Sequence, residues 1–268
     1  MQYQNEKTSV DAAAYTEDYF LTECDGYDTY LESEGKVLAR RLDALWSFLH
    51  ATPGMKVLDL GCGRGEISIY CGLYNITAVG IDYSAQALKL AQAAITEAES
   101  TNPTVWVRPR LLFANAQHLP CSDNNFDRVI MSDIVEHLYP RELKAALQEV
   151  KRVLKPGGEL LIHTMPNLWY YHYGYPVFRL AQRMRGTKLP ADPRERIRYV
   201  HLHVNEQSPT SLSCALASIG FSTWRVWLYD YRDYQEYEKL MRWIMRQLTH
   251  LPLIQKIFCD DIFARAVK

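Results

Sequence analysis

The chain lacks any pairing pattern among its cysteines. Its 268 residues include six cysteines, and none of them forms a Cys-x-x-Cys pair or a regular spacing. A disulfide framework or a zinc site is therefore not indicated, and reduced thiols in a cytoplasmic protein are the simpler interpretation. The N-terminal stretch MQYQNEKTSVDAAAYTEDYF is polar and acidic, which is not typical of a signal peptide.

Long apolar runs and an excess of one charge are also missing. No apolar run approaches the length of a membrane span, so no transmembrane segment is predicted. The formal net charge is −1, and a nearly neutral chain offers no overall basic field for nucleic acid. A hydrophobic fraction of 48% over 268 residues is enough for a large core. We therefore interpret residues 1–268 as a single domain.

Strand-like runs alternate with helix-like stretches between Lys36 and Phe221. The predicted strands are MKVLDL, ITAVGID, RPRLLFAN, FDRVIMSD and GELLIHTM, and helix-like stretches separate most of them. This alternation predicts βαβ units, a mostly parallel Rossmann-like sheet with helices on both faces, and a ligand at the carboxyl ends of the strands.

Two segments do not follow this alternation. Residues 1–50 precede the first strand and form a predicted helical cap segment. Residues 166–207 follow the fifth strand and are too long and too aromatic for a simple connection, so they are predicted to be an insertion over the mouth of the sheet. A helix (SPTSLSCALASIG), a strand (FSTWRVWLYD), a helical stretch and a terminal strand (IFARAVK) are predicted after it.

Three closely spaced glycines follow the first strand in VLDLGCGRGEIS. Gly61, Gly63 and Gly65 permit a sharp turn and let a ligand lie directly on the main chain, although many nucleotide-binding proteins have such a turn. Asp59 narrows the choice, because a carboxylate at about 4 Å from a pyrophosphate would cost roughly 4 kcal/mol. A ligand with a cationic end is favoured instead. S-adenosylmethionine carries an α-ammonium and a sulfonium and no phosphate.

The ends of the next two strands supply further candidates. Asp82 ends the second strand, where a carboxylate can accept both hydroxyls of a ribose. Tyr83 beside it can cover one face of an adenine. Asn115 ends the third strand and could contact the adenine edge.

Four stretches of the sequence together resemble the class I S-adenosylmethionine-dependent methyltransferases: VLDLGCGRG, GIDYS, FANAQHLPCSDNNFDRVIMSDIVEHL and LKPGGELLI. More narrowly, they resemble the small-molecule branch that includes ubiquinone-pathway and glycosylation-linked enzymes. The resemblance implies a seven-stranded sheet with an antiparallel last strand, and IFARAVK fits that strand. It implies transfer of the sulfonium methyl of S-adenosylmethionine to a small-molecule oxygen, nitrogen or carbon, leaving S-adenosylhomocysteine.

The resemblance also implies roles for individual residues around the cofactor. Asp82 would hold the ribose, and Asn115 departs from the aspartate usual at its position, so its contact with adenine should be weaker. The full set of cofactor residues is Tyr19 in the N-terminal segment, Asp59, Gly61, Cys62, Gly63 and Gly65 at the methionine end, Asp82, Tyr83, Asn115 and Ala116 at the nucleoside, and Ser132 and Asp133 near the sulfonium.

The stretch SDIVEHLYP leaves three interpretations open. His137 could be a catalytic base. Asp133, Glu136 and His137 resemble an acidic-histidine cluster that holds a divalent cation in some quinone O-methyltransferases. Alternatively, the Glu-His pair packs beside the cofactor without taking part in the chemistry.

The acceptor side is predicted from aromatic residues. Tyr27 in the N-terminal segment, together with Trp169, Tyr173 and His201 in the insertion, are candidates for binding an aromatic, lipid-like or glycosylated acceptor. The insertion could equally be a self-contained cap. The stretch KLMRWIMRQL with LPLIQKIF could be a core helix or a weak membrane-surface contact.

Three other functions are weighed against a small-molecule methyltransferase. A nucleic-acid methyltransferase is disfavoured by the near-neutral charge and by SDIVEH in place of an Asn/Asp-Pro-Pro-aromatic motif. A non-catalytic S-adenosylmethionine-binding protein and a nicotinamide-dependent oxidoreductase or epimerase are the other two alternatives.

Overall fold

One mixed sheet organises the molecule. A computed structural model describes residues 9–33, 35–101, 106–232, 234–235 and 239–268, and within them seven strands lie in the order β3-β2-β1-β4-β5-β7-β6. The strands are β1 (Lys56–Leu60), β2 (Thr77–Asp82), β3 (Arg110–Phe113), β4 (Phe126–Ser132), β5 (Leu154–Thr164), β6 (Thr223–Leu228) and β7 (Ile262–Val267). Strands β1 to β5 pair in parallel, and β7 is antiparallel to both β5 and β6. This confirms the predicted sheet with its antiparallel last strand.

Helices cover both faces of the sheet. They are α1 (Glu17–Thr22), α2 (Tyr27–Ser33), α3 (Arg40–Leu49), α4 (Glu66–Leu73), α5 (Ala85–Thr101), α6 (Pro140–Val153), α7 (Tyr175–Met184), α8 (Pro209–Ile219), α9 (Lys239–His250) and α10 (Gln255–Phe258). Helices α6 and α8 bury Leu147 and Leu212 against one face, whereas α3 and α4 bury Leu45 and Ile67 against the other. This confirms the Rossmann-like layers. None of the described helices is long and apolar enough to span a membrane.

The N-terminal segment is fastened to the glycine turn by one arginine. The guanidinium of Arg64 donates to the backbone carbonyls of Phe20, Cys24 and Asp25 and pairs with Glu66. Arg64 is only 6% exposed, so this ion pair is shielded from solvent. Helices α1 and α2 are thereby held beside the turn. Residues 1–8 and 34 of the predicted cap segment lie outside the described residues, and the division of the chain into cap and insertion stays a prediction.

The insertion is helical but packs mainly away from the glycine turn. It begins with a turn of π-helix, Tyr170–Gly174, which leads into α7. The backbone of α10 lies directly against this turn, because a Cβ added at Gly174 would come within 1.8 Å of the Ile257 carbonyl oxygen. Further along the insertion, Leu202 joins the cluster that contains Phe20 of α1. This later part of the insertion reaches the N-terminal segment.

Candidate functional site

The glycine turn has the conformation that its sequence predicts. Gly61, Gly63 and Gly65 have φ angles of 76°, 52° and 83°, which is the region that side chains rarely adopt. The amides of Gly61 and Cys62 donate to the Ile81 carbonyl at 2.7 and 3.1 Å, so the turn is tied to β2. Burial raises the pKa of the Cys62 thiol. Cys62 is therefore a neutral turn residue, because its burial disfavours the thiolate that a nucleophile requires.

Two buried carboxylates flank this turn. The Asp59 carboxylate accepts a hydrogen bond from the Ser68 hydroxyl at 2.8 Å, and its burial raises the pKa to about 7. Among the described residues it has no cationic partner, so a buried ligand cation would stabilise its charged form. The Asp82 carboxylate accepts from the backbone amides of Gly63 at 3.0 Å and Ser84 at 2.8 Å. Each of its oxygens keeps a lone pair that could accept from a ribose hydroxyl.

A pocket opens above the carboxyl ends of β1, β2 and β4. Most of the residues predicted to bind the cofactor line it together: Tyr19, Asp59, Gly61, Cys62, Gly63, Asp82, Tyr83, Asn115, Ala116, Ser132 and Asp133, with His137 beside them. Gly65 does not line the pocket, because its place is at the start of α4, where it lies close to Ala91. The pocket therefore has the position expected for a ligand of a parallel sheet.

On the nucleoside side of the pocket, the polar side chains already form hydrogen bonds with neighbouring residues. The Asn115 amide oxygen accepts from the Gln117 backbone amide at 2.9 Å, and the Gln117 side chain donates to Glu142 at 3.0 Å. The Tyr83 hydroxyl donates to the Val10 carbonyl at 3.3 Å. These bonds fix both side chains at the pocket wall. Gln117 and Glu142 carry no motif by which the sequence could have identified them.

Comparison with known proteins agrees with this arrangement. Residues 58–162 match the profile of a family described as a methyltransferase domain. A demethylmenaquinone methyltransferase of Lactiplantibacillus plantarum is 38% identical over 144 residues, which are 48% of this chain and 57% of that protein. A cyclopropane-fatty-acyl-phospholipid synthase of Escherichia coli is 31% identical over 126 residues, which are 47% of this chain and 30% of that protein. The chain thus spans less than two thirds of either relative.

The fold is also shared with solved structures. A structure described as an S-adenosylmethionine-dependent methyltransferase from Archaeoglobus fulgidus superposes with a TM-score of 0.55, covering 91% of this chain and 100% of that chain at 20% identity. Residues 58–162 are therefore similar to a methyltransferase domain, and the chain has the fold of S-adenosylmethionine-dependent methyltransferases. The glycine turn and the carboxyl ends of β1, β2 and β4 lie within the matched segment.

A chain of polar side chains runs from the pocket to β5 and to the residue before β7. Asp133, which has a φ of 52°, is paired with Arg41 from α3 and accepts from the Ser132 hydroxyl at 2.8 Å. Its other oxygen lies 2.8 Å from Nδ1 of His163, whose Nε2 lies 3.3 Å from the Asp261 carboxylate. His163 thus has a carboxylate oxygen at each ring nitrogen. Asp133 is held rigidly at the wall of the pocket.

His137 has a neutral imidazole whose proton position is set by the backbone. Its Nδ1 lies 3.1 Å from the Leu202 carbonyl, to which it can only donate, so Nε2 is left as an acceptor 3.5 Å from the Tyr19 hydroxyl. Burial, with a smaller contribution from nearby His203, lowers the pKa of His137 to about 3. A histidine with so low a pKa accepts a proton reluctantly.

The three residues that could bind a divalent cation, Asp133, Glu136 and His137, contact different partners. Glu136 accepts from the Thr164 hydroxyl at 2.6 Å and does not line the pocket, and burial raises its pKa to about 7. Asp133 faces Arg41 and His163, whereas Nδ1 of His137 faces the backbone. Within the described part of the chain, no group of three or more acidic, histidine or cysteine side chains is arranged to hold a metal ion. Asp133, Glu136 and His137 do not converge on a common point.

The four residues predicted to bind the acceptor lie outside the pocket lining. The Tyr27 ring lies under the Arg64 guanidinium at 5.1 Å. Trp169 begins the π-helical turn beside α10, Tyr173 is 60% exposed, and His201 is exposed. The sequence led us to expect that the aromatic run of the insertion covers the pocket. In the structure this run packs beside α10 instead. A role of these residues in acceptor binding stays a prediction.

Proposed function

We propose that the protein transfers a methyl group from S-adenosylmethionine to a small-molecule acceptor in the pocket above β1, β2 and β4. The observation that supports this most directly is Asp59, a buried carboxylate without a cationic partner among the described residues. Burial raises the pKa of Asp59 to about 7, and an α-ammonium group bound beside it would stabilise its charged form. When bound, S-adenosylmethionine would supply an electrophilic methyl group on a sulfonium.

Each part of the cofactor has a matching partner in the pocket. The methionine end would lie against Asp59 and the Gly61–Gly65 turn. The ribose would lie against Asp82, whose charge is already stabilised by two backbone amides. Tyr83 would cover the adenine face, and Asn115 with Ala116 would meet its edge. The transferred methyl group would then lie near Ser132 and Asp133.

We propose that the protein promotes methyl transfer mainly by orienting the acceptor and the cofactor, and not by removing a proton from the acceptor. The low pKa of His137, about 3, makes it a weak base, and Asp133 is engaged by Arg41 and His163. Methyl transfer is a displacement in which alignment of the nucleophile, carbon and sulfur supplies much of the rate. We therefore propose an acceptor atom that is already nucleophilic at neutral pH, or that ionises in solution before it binds.

The acceptor that fits best is an apolar ring or chain with one nucleophilic position. Aromatic rings surround His137, since Tyr15 and Tyr19 pack edge to face against it at centroid distances of 5.6 and 6.5 Å. The similar proteins are named for menaquinone precursors and for fatty-acyl phospholipids. An aromatic or lipid-like acceptor is consistent with both observations.

Calorimetry followed by an acceptor screen tests the proposal. We expect S-adenosylmethionine and S-adenosylhomocysteine to bind, NAD not to bind, and Asp82→Ala to weaken binding. Protein incubated with methyl-labelled S-adenosylmethionine and fractionated apolar metabolites should release S-adenosylhomocysteine and label one fraction. Binding without any turnover would favour a non-catalytic protein, and labelling of RNA with a steep salt dependence would favour a nucleic-acid enzyme.

A further inference from the structure

Charge is distributed very unevenly along the chain. Residues 166–191 and 239–259 contain no Asp or Glu, yet each contains four Lys or Arg. The remaining residues hold 22 Lys and Arg against 31 Asp and Glu, a net charge of −9. The near-neutral total therefore conceals two basic segments, which we call the acid-free segments, in an otherwise acidic protein.

The fold brings the acid-free segments together. The Asn167 side-chain amide, which is fully buried, donates to the backbone carbonyls of Lys256 at 3.1 Å and Cys259 at 2.9 Å. The backbone of α10 lies against Gly174, and α9 leads into α10. Helices α7, α9 and α10 thus form one lobe.

The segments that form this lobe follow strands at the same edge of the sheet where the pocket opens. Thr164, which ends β5, and Leu228, which ends β6, both pair with Ile262 at the start of β7. The carboxyl ends of β1, β2 and β4, where the pocket opens, lie along the same edge. The lobe therefore sits beside the pocket and not on the far side of the sheet.

The lobe also exposes an unusual share of large apolar side chains. Fourteen large hydrophobic residues are exposed in the described part of the chain, and eight of them lie in the 47 residues of the acid-free segments. They are Tyr173, Val177, Leu180, Met184, Leu240, Trp243, Leu251 and Leu253. Such a concentration is typical of an interaction surface.

We propose that this lobe binds the surface of an anionic lipid membrane. Amphipathic helices with basic and apolar residues interleaved lie in membrane interfaces, where the apolar groups enter the acyl boundary and the cations meet anionic headgroups. A nucleic acid would match the cations but leave exposed side chains such as Leu180 and Leu253 in water. A second copy would match the apolar groups, but a two-fold interface would set the exposed cations of one lobe, such as Arg179 and Arg183, against those of the other.

The proposal goes beyond methyl transfer and does not depend on it, because membrane binding is measured without cofactor or acceptor. If the protein methylates a lipid-like acceptor, the position of the lobe beside the pocket would let that acceptor pass from the bilayer to the site.

Vesicle flotation of the full chain is the first test. We expect it to float with vesicles of phosphatidylcholine containing about one third phosphatidylglycerol, to float much less with phosphatidylcholine alone, and to be released by raised salt. Absence of binding to the anionic vesicles at low salt overturns the proposal. So does binding to both vesicle types that does not change with salt.

Charge reversal on α7 locates the surface. A basic residue near an anionic surface contributes roughly fivefold to partitioning, so the double variant Arg179→Glu, Arg183→Glu should lower the partition coefficient by at least about 25-fold. The matched control reverses two exposed lysines on α5 and α6 (Lys89→Glu, Lys144→Glu), with the same change in net charge, and should have a far smaller effect. Equal losses in the two variants would show attraction by net charge alone and overturn the assignment of the lobe.

Removal of exposed apolar groups tests the other half of the surface. Leu180→Ser with Leu253→Ser should lower partitioning about tenfold or more, and Val37→Ser, also exposed, should not. Thermal unfolding of every variant checks that it is folded, and the salt titration of the unmodified chain decides the proposal even if one variant is unstable. A dimer in solution that Leu180→Ser dissociates, with no vesicle binding, would show an interface between copies instead.

Discussion

The affinity for a cofactor with an α-ammonium group should depend steeply on pH through Asp59. Burial raises the pKa of this carboxyl to about 7, so it is mostly protonated at pH 5.5 and mostly ionised at pH 7.5. Only the ionised form attracts the ammonium. For a single group with this pKa, the dissociation constant of S-adenosylhomocysteine should rise about 25-fold between pH 7.5 and 5.5, equivalent to about 2 kcal/mol.

Calorimetry with two ligands separates Asp59 from the other carboxyls that titrate nearby. Methylthioadenosine shares the adenine and ribose of the cofactor but lacks the amino acid end, so its affinity should change little over the same range. Burial also raises the pKa of Glu136 to about 7, but Glu136 does not line the pocket and should affect both ligands alike. In Asp59→Asn, S-adenosylhomocysteine should bind weakly and without pH dependence. A flat affinity in the unmodified protein, or equal slopes for both ligands, would refute the assignment of Asp59.

The stability of the unliganded protein should decrease as pH rises, whereas its affinity for S-adenosylhomocysteine should increase. Because the pKa of Asp59 is raised above its ordinary value of 3.8, the native state binds the extra proton, and the free energy of unfolding contributed by this group falls as pH rises from about 4 to 7. Asp59→Asn should therefore raise the thermal midpoint at pH 8 without ligand. Loss of binding together with gain of stability is the expected pattern for a residue whose burial serves a ligand.

Four further predictions concern individual positions. Asp82→Ala should weaken S-adenosylhomocysteine binding by roughly 1.5–3 kcal/mol, measured by calorimetry, and unchanged affinity would remove the ribose assignment. Asn115→Asp should bind equally or more tightly, because the carboxylate can still accept from the Gln117 amide and adds charge toward the adenine amine; a large loss would mean that the side chain donates to a different group. His137→Ala should lower stability and leave residual activity, whereas a general base would cost about 10²–10⁴ in rate with cofactor binding intact. If the insertion is a lid, Trp169→Ala should lower kcat/KM at least tenfold at unchanged S-adenosylhomocysteine affinity, whereas normal turnover would leave it a packing residue beside α10.

The parts of the site that the sequence predicts are those that follow directly from strand ends. Asp59, Asp82 and Asn115 each stand at or just after the end of a strand-like run, and the carboxyl ends of parallel strands meet at one edge. Local sequence therefore suffices to bring them together. The glycine turn is predictable for the same reason, since the positive φ of Gly61 and Gly63 is a requirement that glycine meets best.

The parts that escaped prediction depend on contacts between distant residues. Arg41 meets Asp133 across 92 positions of the chain, and His163 meets Asp261 across 98. No local pattern marks either pair. The insertion was predicted to cover the pocket because it follows β5, but its direction is decided by α10, against which the turn at Gly174 packs.

Two opposite electrostatic environments lie side by side along the edge of the sheet where the pocket opens. The glycine turn and the ends of β1 and β2 carry Asp59 and Asp82, which suit a cationic ligand end. The connections after β5 and β6 carry the acid-free segments, which suit an anionic surface. Between them, at the ends of β4 and β5, lie Asp133 and His163, held together at 2.8 Å. An acceptor that entered from the basic side would meet the methyl group at this boundary. Disruption of the pair by His163→Asn should then disturb alignment, lowering kcat more than cofactor affinity, and equal losses of both would show that the pair only supports the fold.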